Sequence, residues 1–203
     1  MLIKYNMKTV LRFILIGDSN TGKTTFFNQI DEIMNKNISE SIGLDVLTYT
    51  LNNKKIILWD TTGNPKYRTL IHSHLRSNCG ILLFIDLARN ETINNIESWL
   101  NMIEEYNHCP HKHPIFLIGT KNQDNVNYDH KKLENLVVKH SLIHISILLK
   151  EIDAISIMNM IVSEVENQFK NTNCIGIKHI KNESVQLQKI DNNNIVNQIT
   201  NCY

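Results

Sequence analysis

The sequence has few cysteines, no excess of charge and no long apolar run. Its four cysteines, Cys79, Cys109, Cys174 and Cys202, match no disulfide framework, so we predict reduced thiols and a cytoplasmic protein. The 21 basic and 20 acidic residues leave a net charge of +1, which favours no nucleic-acid partner. The apolar N-terminal residues run into a glycine loop without a cleavage pattern, and no segment is long enough to span a bilayer. Partners must therefore be inferred from local sites.

Strand-like apolar runs alternate with helical patterns. The runs lie at residues 9–16, 44–51, 55–59, 81–86, 115–119 and 142–146. Asn52 and Asn53 separate the second run from the third and tolerate the positive φ angles of a tight hairpin turn, so this pair is predicted to be antiparallel. The alternation predicts an α/β fold with a six-stranded, mostly parallel sheet, one antiparallel edge strand and helices on both faces.

Apolar residues spaced by three or four positions predict amphipathic helices at residues 93–106 and 152–169. A further helix is predicted from Asp129 to His140. Beyond residue 170 the periodicity fails and the sequence becomes rich in Asn, Lys and Gln. We therefore predict one domain at residues 1–170 and a flexible tail at residues 171–203.

A glycine loop stands directly between the first predicted strand and a helical segment. It matches the P-loop pattern with Gly17, Asp18, Ser19, Asn20, Thr21, Gly22, Lys23 and Thr24, followed by Thr25. Backbone N–H groups of such a loop surround phosphates, Lys23 reaches the β and γ oxygens, and the Thr24 hydroxyl is a ligand of Mg²⁺. Asn20 stands where glycine is frequent, and asparagine tolerates left-handed backbone. The loop predicts a nucleotide phosphate site.

Kinases, ATPases and GTPases all use P-loops, so a second motif must separate them. Residues 59–65 read Trp-Asp-Thr-Thr-Gly-Asn-Pro at the end of the third strand, where Asp60 can hold Mg²⁺ through water. This motif, which includes Gly63, resembles the Trp-Asp-Thr-Ala-Gly-Gln-Glu of the Rab family of small GTPases. The resemblance covers roughly residues 8–170 and implies a P-loop NTPase fold, GTP or GDP with Mg²⁺ as cofactors, and a switch in vesicle trafficking.

Two segments resemble the switch regions of Rabs. Residues 41–46 are similar to the family's Thr-Ile-Gly-x-Asp-Phe, which implies that Ser41 ligates Mg²⁺ and contacts the nucleotide. Residues 67–76 are similar to the switch II helix of Golgi-associated Rabs, which implies peripheral binding to Golgi or endosomal membranes. The family's switches bind effectors, exchange factors and GTPase-activating proteins. Effectors of the family read an aromatic triad, whose positions here are Val46, Trp59 and His74, so we expect unusual partners.

The guanine-recognition motif of the family, Asn-Lys-x-Asp, corresponds here to Thr120, Lys121, Asn122 and Gln123, followed by Asp124. A carboxylate accepts two hydrogen bonds from guanine, whereas Gln123 offers one carbonyl oxygen. Either Asp124 reads the base after a slip of one residue, or guanine selectivity is weakened. Ser146 and Ile147 stand loosely where the family has its Ser-Ala-Lys base loop.

Hydrolysis in the family uses a glutamine that orients the attacking water, and the resemblance places Asn64 there as a catalytic residue with Lys23. The Asn64 amide is about 1.5 Å shorter in reach, and Pro65 restricts the backbone of Asn64. We predict slow hydrolysis. The alternative is a pseudo-GTPase scaffold that does not hydrolyse GTP or binds nucleotide weakly, and a P-loop kinase or ATPase is a third candidate.

Two other features of the sequence point less clearly to a site. The cluster of His and Cys at residues 108–113 is crowded in one loop and fits no zinc spacing, so we predict no metal there. Cys202 stands one residue from the C-terminus, whereas a prenylation box needs a cysteine at the position of Thr200. Cys202 is therefore either an unconventional lipid site, which would attach the tail to a membrane, or carries no lipid.

Overall fold

The computed structural model describes residues 10–34, 44–64, 68–75, 78–106, 113–121, 128–148 and 153–172. The strands are β1 (Val10–Gly17), β2 (Leu44–Leu51), β3 (Lys54–Thr61), β4 (Gly80–Asp86), β5 (Ile115–Thr120) and β6 (Ile143–Ser146). The helices are α1 (Lys23–Met34), α2 (Arg68–Leu75), α3 (Asn90–Asn94), α4 (Ile96–Tyr106), α5 (His130–His140) and α6 (Ala154–Thr172). No helix within these described ranges is long and apolar enough to cross a membrane.

The sheet has the order β2-β3-β1-β4-β5-β6, and only the edge strand β2 is antiparallel to its neighbour. Asn52 and Asn53 both have positive φ, 49° and 62°, so the tight hairpin turn is confirmed. Chain order and sheet order differ because β1 lies in the middle, between β3 and β4. The carboxyl ends of these three parallel strands therefore meet at one edge of the sheet, where ligands bind in open α/β folds.

Buried apolar side chains cover both faces of the sheet. On one face, Phe26, Phe27 and Ile30 of α1 and residues 154–165 of α6 pack on alternate residues of the strands. On the other face, side chains of α2, α3, α4 and α5 pack on the intervening residues, with Trp99 as the largest. The predicted six-stranded α/β sheet with helices on both faces is therefore confirmed.

The prediction of one continuous helix at residues 93–106 is wrong. The segment forms two helices, α3 and α4, which are separated by Asn95 with φ −82° and ψ −7°. The N–H of Asn95 still donates to Glu91 O, but its side chain turns to Asp18, 2.8 Å away. Apolar spacing continues through the break, so the sequence pattern could not reveal it. At the other end of the domain, α6 runs two residues past the predicted boundary, to Thr172, and the rest of the predicted tail lies outside the described residues.

Candidate nucleotide-binding site

The P-loop connects the end of β1 to the start of α1, as the sequence predicts. Gly17 has φ 132° and lies so close to β4 that a Cβ atom there would stand 2.2 Å from Phe84 O. Gly22 has φ 93°, and Asn20 has the left-handed φ of 61° that its side chain tolerates. The three residues allow the loop to turn sharply at the carboxyl edge of the sheet.

Every carbonyl of the loop from Gly17 to Gly22 accepts a hydrogen bond. Lys23 Nζ donates to Gly17 O at 3.0 Å and to Asp18 O at 2.6 Å, and Phe26 N donates to Gly22 O at 2.9 Å. Three more donors lie at or just beyond the ends of β4 and β5: Arg89 donates to Ser19 O at 2.9 Å, Lys121 to Asn20 O at 3.3 Å, and Thr120 to Thr21 O at 2.9 Å. The carbonyls of Ser19, Asn20 and Thr21, which these three outer donors hold, leave the N–H groups that follow them for an anion.

Asp18 is turned away from the loop and fastened to α4. Its Oδ1 accepts from Trp99 Nε1 at 2.9 Å, and its Oδ2 accepts from Asn95 Nδ2 at 2.8 Å. The carboxylate is therefore held by hydrogen bonds from Trp99 and from Asn95, the residue that precedes α4.

Lys23 is almost completely buried, with 4% of its surface exposed. Burial lowers the pKa of this ammonium to about 8, although Asp60 and Asp18 oppose the shift. Its three neighbours on the loop are neutral oxygens, those of Gly17, Asp18 and Thr21. Phosphate oxygens would give this buried ammonium negatively charged hydrogen-bond partners in place of neutral ones.

Two of the three residues predicted to hold Mg²⁺, Thr24 and Asp60, are described and lie in contact. Thr24 Oγ1 donates to Asp60 Oδ2 at 2.6 Å, while the buried Asp60 Oδ1 has no hydrogen-bond partner in the described part of the chain. Burial raises the pKa of Asp60 to about 6, against the hydrogen bond from Thr24 and the charge of Lys23. A hydroxyl and a carboxylate with a spare oxygen are ligands that suit Mg²⁺. Ser41 lies outside the described residues.

The prediction of no metal at residues 108–113 is only partly described. Within the described ranges no three His, Cys, Asp or Glu side chains are grouped to hold a metal. Of the His and Cys cluster, only His113 is described, and residues 108–112 lie outside.

Gly63 lies directly against the P-loop. A Cβ atom on this residue would stand 2.2 Å from Ser19 N and 2.3 Å from the carbonyl carbon of Asp18, so only glycine fits there. Thr61 fastens the strand before it, because its hydroxyl donates to Leu15 O at 2.7 Å. Asn64, the predicted catalytic residue, follows with an exposed side chain, and Pro65 lies outside the described residues.

The base side of the site is less complete. Thr120 is fully buried, and its hydroxyl lies 2.9 Å from Thr21 O and 3.0 Å from Ile85 O, so it fastens the P-loop to the sheet. Ile147 is also buried, and its N–H donates to Gly119 O at 2.7 Å, so this donor is already engaged. Ser146 Oγ lies 3.3 Å from His144 Nε2. Gln123 and Asp124 lie outside the described residues.

Asp86 is a site residue that the sequence analysis missed. It ends β4 with its side chain 1% exposed, and Oδ2 accepts from Lys121 Nζ at 2.5 Å and from Arg89 Nε at 2.7 Å. Burial alone would raise the pKa of Asp86, but the hydrogen bonds from Lys121, Arg89 and Ala88 together lower it. The sequence signal that could have indicated this residue is a single carboxylate at the end of an otherwise apolar strand.

The three positions of the predicted effector triad also come together. Val46 lies directly opposite Trp59 in the antiparallel pair of β2 and β3. The ring of His74, on α2, lies 4.4 Å from the ring of Trp59. The surface is therefore formed by β2, β3 and α2, with a half-buried Trp59 at its centre.

Comparison with known proteins agrees with this geometry. Residues 12–123 match the family described as Roc, the Ras of Complex, Roc, domain of DAPkinase. The chain is 28% identical over 186 residues to Ras-related protein Rab-18-B of Danio rerio, with 88% of each chain covered. It is 30% identical over 154 residues to Ras-related protein Rab-18 of Lymnaea stagnalis, covering 72% of this chain and 75% of the relative. It is 29% identical over 123 residues to Ras-related protein SEC4 of Candida albicans, with 58% of each chain covered. With its P-loop, its Asp60 and its β2–β3 hairpin in place, the chain belongs to the Rab family of Ras-like small GTPases.

Proposed function

We propose that the chain binds GTP or GDP together with Mg²⁺ at residues 17–25 and acts as a nucleotide-dependent switch in vesicle trafficking. One observation supports this most strongly: the carbonyls from Ser19 to Gly22 are held by donors outside the phosphate position, while Lys23 holds those of Gly17 and Asp18. Such a loop offers a row of N–H groups and the buried Lys23 ammonium to one anion. A polyphosphate is the ligand that fits both.

Four described residues of the site would take part in this binding: Lys23, Thr24, Asp60 and Gly63. Lys23 would move from the loop carbonyls to phosphate oxygens, and Thr24 with Asp60 would hold Mg²⁺, which neutralises phosphate charge when it is bound. Gly63 would bring its own N–H to the outermost phosphate, because it already lies against Ser19. In the predicted switch, loss of that phosphate would release the segment that begins at Gly63.

The nucleotide content of the purified protein tests this proposal. We expect stoichiometric guanine nucleotide in the denatured extract, and loss of that nucleotide in Lys23→Ala. The matched control is Lys131→Ala, which removes an exposed lysine of α5. An empty wild-type protein that also fails to bind added GDP in calorimetry would contradict the proposal, and adenine nucleotide would favour a P-loop ATPase or kinase.

Slow hydrolysis is the second part of the proposal. Asn64 is exposed and directly follows Gly63, and its amide is one methylene shorter than the family's glutamine, so it would orient water poorly. If Asn64 does not support hydrolysis at all, the chain acts as a pseudo-GTPase scaffold. Single-turnover measurement of GTP cleavage in the wild-type protein separates these two functions: a slow rate supports the GTPase, whereas retained GTP supports the scaffold.

Partners and location belong to the same proposal. Effectors and regulators would bind the surface formed by Val46, Trp59 and His74, where only Trp59 keeps the aromatic residue of the family. Membrane association through Cys202, and the Golgi or endosomal location that residues 67–76 indicate by resemblance, can be tested with fluorescent fusions of the full chain and of Cys202→Ser. Identical diffuse distribution of both fusions would argue against a lipid at this cysteine.

A further inference from the structure

Asp86 is the shared acceptor of two cations that both reach the P-loop. Lys121 Nζ lies 2.5 Å from Asp86 Oδ2 and 3.3 Å from Asn20 O. Arg89 donates to Asp86 through Nε at 2.7 Å and to Ser19 O through a terminal nitrogen at 2.9 Å. The two cations thus bridge one buried carboxylate to two consecutive carbonyls of the loop. We call this group the P-loop clamp: Asp86, Arg89, Lys121 and the carbonyls of Ser19 and Asn20.

The burial of the clamp differs between its members. The side chain of Asp86 is 1% exposed, whereas those of Arg89 and Lys121 are 39% and 48% exposed. Long exposed cations lose considerable rotamer freedom when they are held in one position, and a carbonyl alone compensates poorly. The buried carboxylate supplies the charge-assisted bonds that hold both side chains. Without it, Ser19 and Asn20 would keep their partners only part of the time.

The other connection between β5 and the P-loop is the hydrogen bond from the Thr120 hydroxyl to Thr21 O, and it is weaker than its length suggests. The hydroxyl of Thr120 has one proton, and both Thr21 O and Ile85 O lie within hydrogen-bond distance of it. Thr120 can therefore donate fully to only one of them at a time. The orientation of the middle of the loop depends correspondingly more on Asp86.

We propose that Asp86 is a positioning residue for phosphate binding, which acts through Arg89 and Lys121 to hold the carbonyls of Ser19 and Asn20 outward. Since each C=O and the following N–H point in opposite directions, this hold directs the N–H groups of Asn20 and Thr21 towards the ligand. The inference rests on the proposed nucleotide site. It deepens that proposal because it names a residue outside the motifs that orients the loop and does not itself touch the nucleotide.

The inference predicts a specific pattern of reduced affinity. Asp86→Asn keeps the size of the side chain but places a neutral amide among donors, so we expect inorganic tripolyphosphate and Mg²⁺–GDP both to bind about tenfold more weakly or worse. Equal losses for the two ligands are expected because the clamp acts on the phosphates. If Asp86 served the base through Lys121 instead, the substitution would weaken GDP binding and leave tripolyphosphate binding unchanged, and that result would overturn the inference.

Three further proteins make the experiment decisive. Val165→Ala creates a cavity in α6, away from the loop, and controls for reduced stability, since thermal unfolding can be compared with that of Asp86→Asn. Arg89→Gln is a safer variant for folding, and we expect a loss of about threefold or more in tripolyphosphate affinity. In the variant that carries both Asp86→Asn and Arg89→Gln, the loss should be smaller than the two single losses combined, because Arg89 acts through Asp86.

The outcomes separate the inference from the proposed function. A wild-type protein that binds neither GDP nor tripolyphosphate would contradict the nucleotide site itself. Wild-type binding with an unchanged Asp86→Asn would refute only the positioning role, as would a loss no larger than that of an equally destabilised Val165→Ala. Tighter binding in Asp86→Asn would show that the freed cations bind phosphate directly, which also refutes it.

Discussion

The substitution Asp45→Asn should stabilise the protein without Mg²⁺ and weaken its response to Mg²⁺. Asp45 on β2 lies directly opposite Asp60 on β3. Residues paired in this way project from the same face, with Cβ atoms about 4.5–5.5 Å apart. Asp60 is 5% exposed and Asp45 is half-buried, and the charge of Asp45 adds to burial in raising the pKa of Asp60.

The repulsion between the two carboxylates sets the magnitude. Two unit charges about 5 Å apart interact by roughly 3 kcal/mol at an effective dielectric constant of about 20. Solvent around the partly exposed Asp45 screens this to about 1 kcal/mol. For a domain of this size, a gain of about 1 kcal/mol raises the melting temperature by about 2–4 °C. The same charge attracts a divalent cation, so the variant should gain less from Mg²⁺ by a similar amount.

Thermal unfolding of the GDP-loaded protein, first in EDTA and then in excess Mg²⁺, measures both effects. Glu134→Gln removes one negative charge from the exposed face of α5 and controls for the change in net charge. We expect the unfolding temperatures of Asp45→Asn and the wild type to differ in EDTA and to converge in Mg²⁺. A lower melting temperature for Asp45→Asn in EDTA, or an equal Mg²⁺ shift in both proteins, would refute the reasoning.

Three other outcomes follow from the site. The pKa of Lys23 is about 8 in the free protein, and phosphates favour its ammonium. GDP affinity measured by calorimetry should therefore be constant from about pH 7, above the pKa of Asp60, to about pH 8, and fall about tenfold per unit above that; a flat profile above pH 8 would contradict the assignment. Asn64→Gln should raise single-turnover GTP hydrolysis about tenfold or more, and an unchanged slow rate would point to a missing activator. If Gln123 faces the base, Gln123→Asp should strengthen GTP binding over ATP and Asp124→Ala should have little effect, whereas the reverse pattern would show a slip of one residue.

The sequence predictions that the structure confirms are those that depend on neighbouring residues. Alternation and apolar runs predict all six strands, and the two asparagines at residues 52–53 predict the hairpin turn with its positive φ angles. The left-handed backbone of Asn20 follows from its place in the glycine loop. These properties depend on local backbone preference and on periodicity, both of which a single sequence displays.

Contacts between distant parts of the chain could not be predicted in the same way. Arg89 reaches Ser19 across 70 residues, and Trp99 reaches Asp18 across 81. Neither side chain belongs to a recognised motif, because each acts on the outer side of the loop, away from the phosphate position. The break at Asn95 has the same origin, since its amide turns to Asp18 and the apolar spacing around it is unaffected.

The two halves of the site differ in how much of their chemistry is retained. On the phosphate side, the six consecutive carbonyls of residues 17–22 all accept hydrogen bonds from the protein. The ammonium of Lys23 is buried there, and the carboxylate of Asp60 has one oxygen without a hydrogen-bond partner in the described part of the chain. On the base side, the hydroxyl of Thr120 and the N–H of Ile147 are already engaged with the protein's own carbonyls. Lys121 is likewise bound to Asp86 and Asn20, so its stem, and not its ammonium, is what can lie along a base. Binding energy in this member of the family should therefore come mainly from phosphates and Mg²⁺. Discrimination between bases then depends on the short segment that follows Lys121, where either Gln123 or, after a slip of one residue, Asp124 takes the place of the family's aspartate.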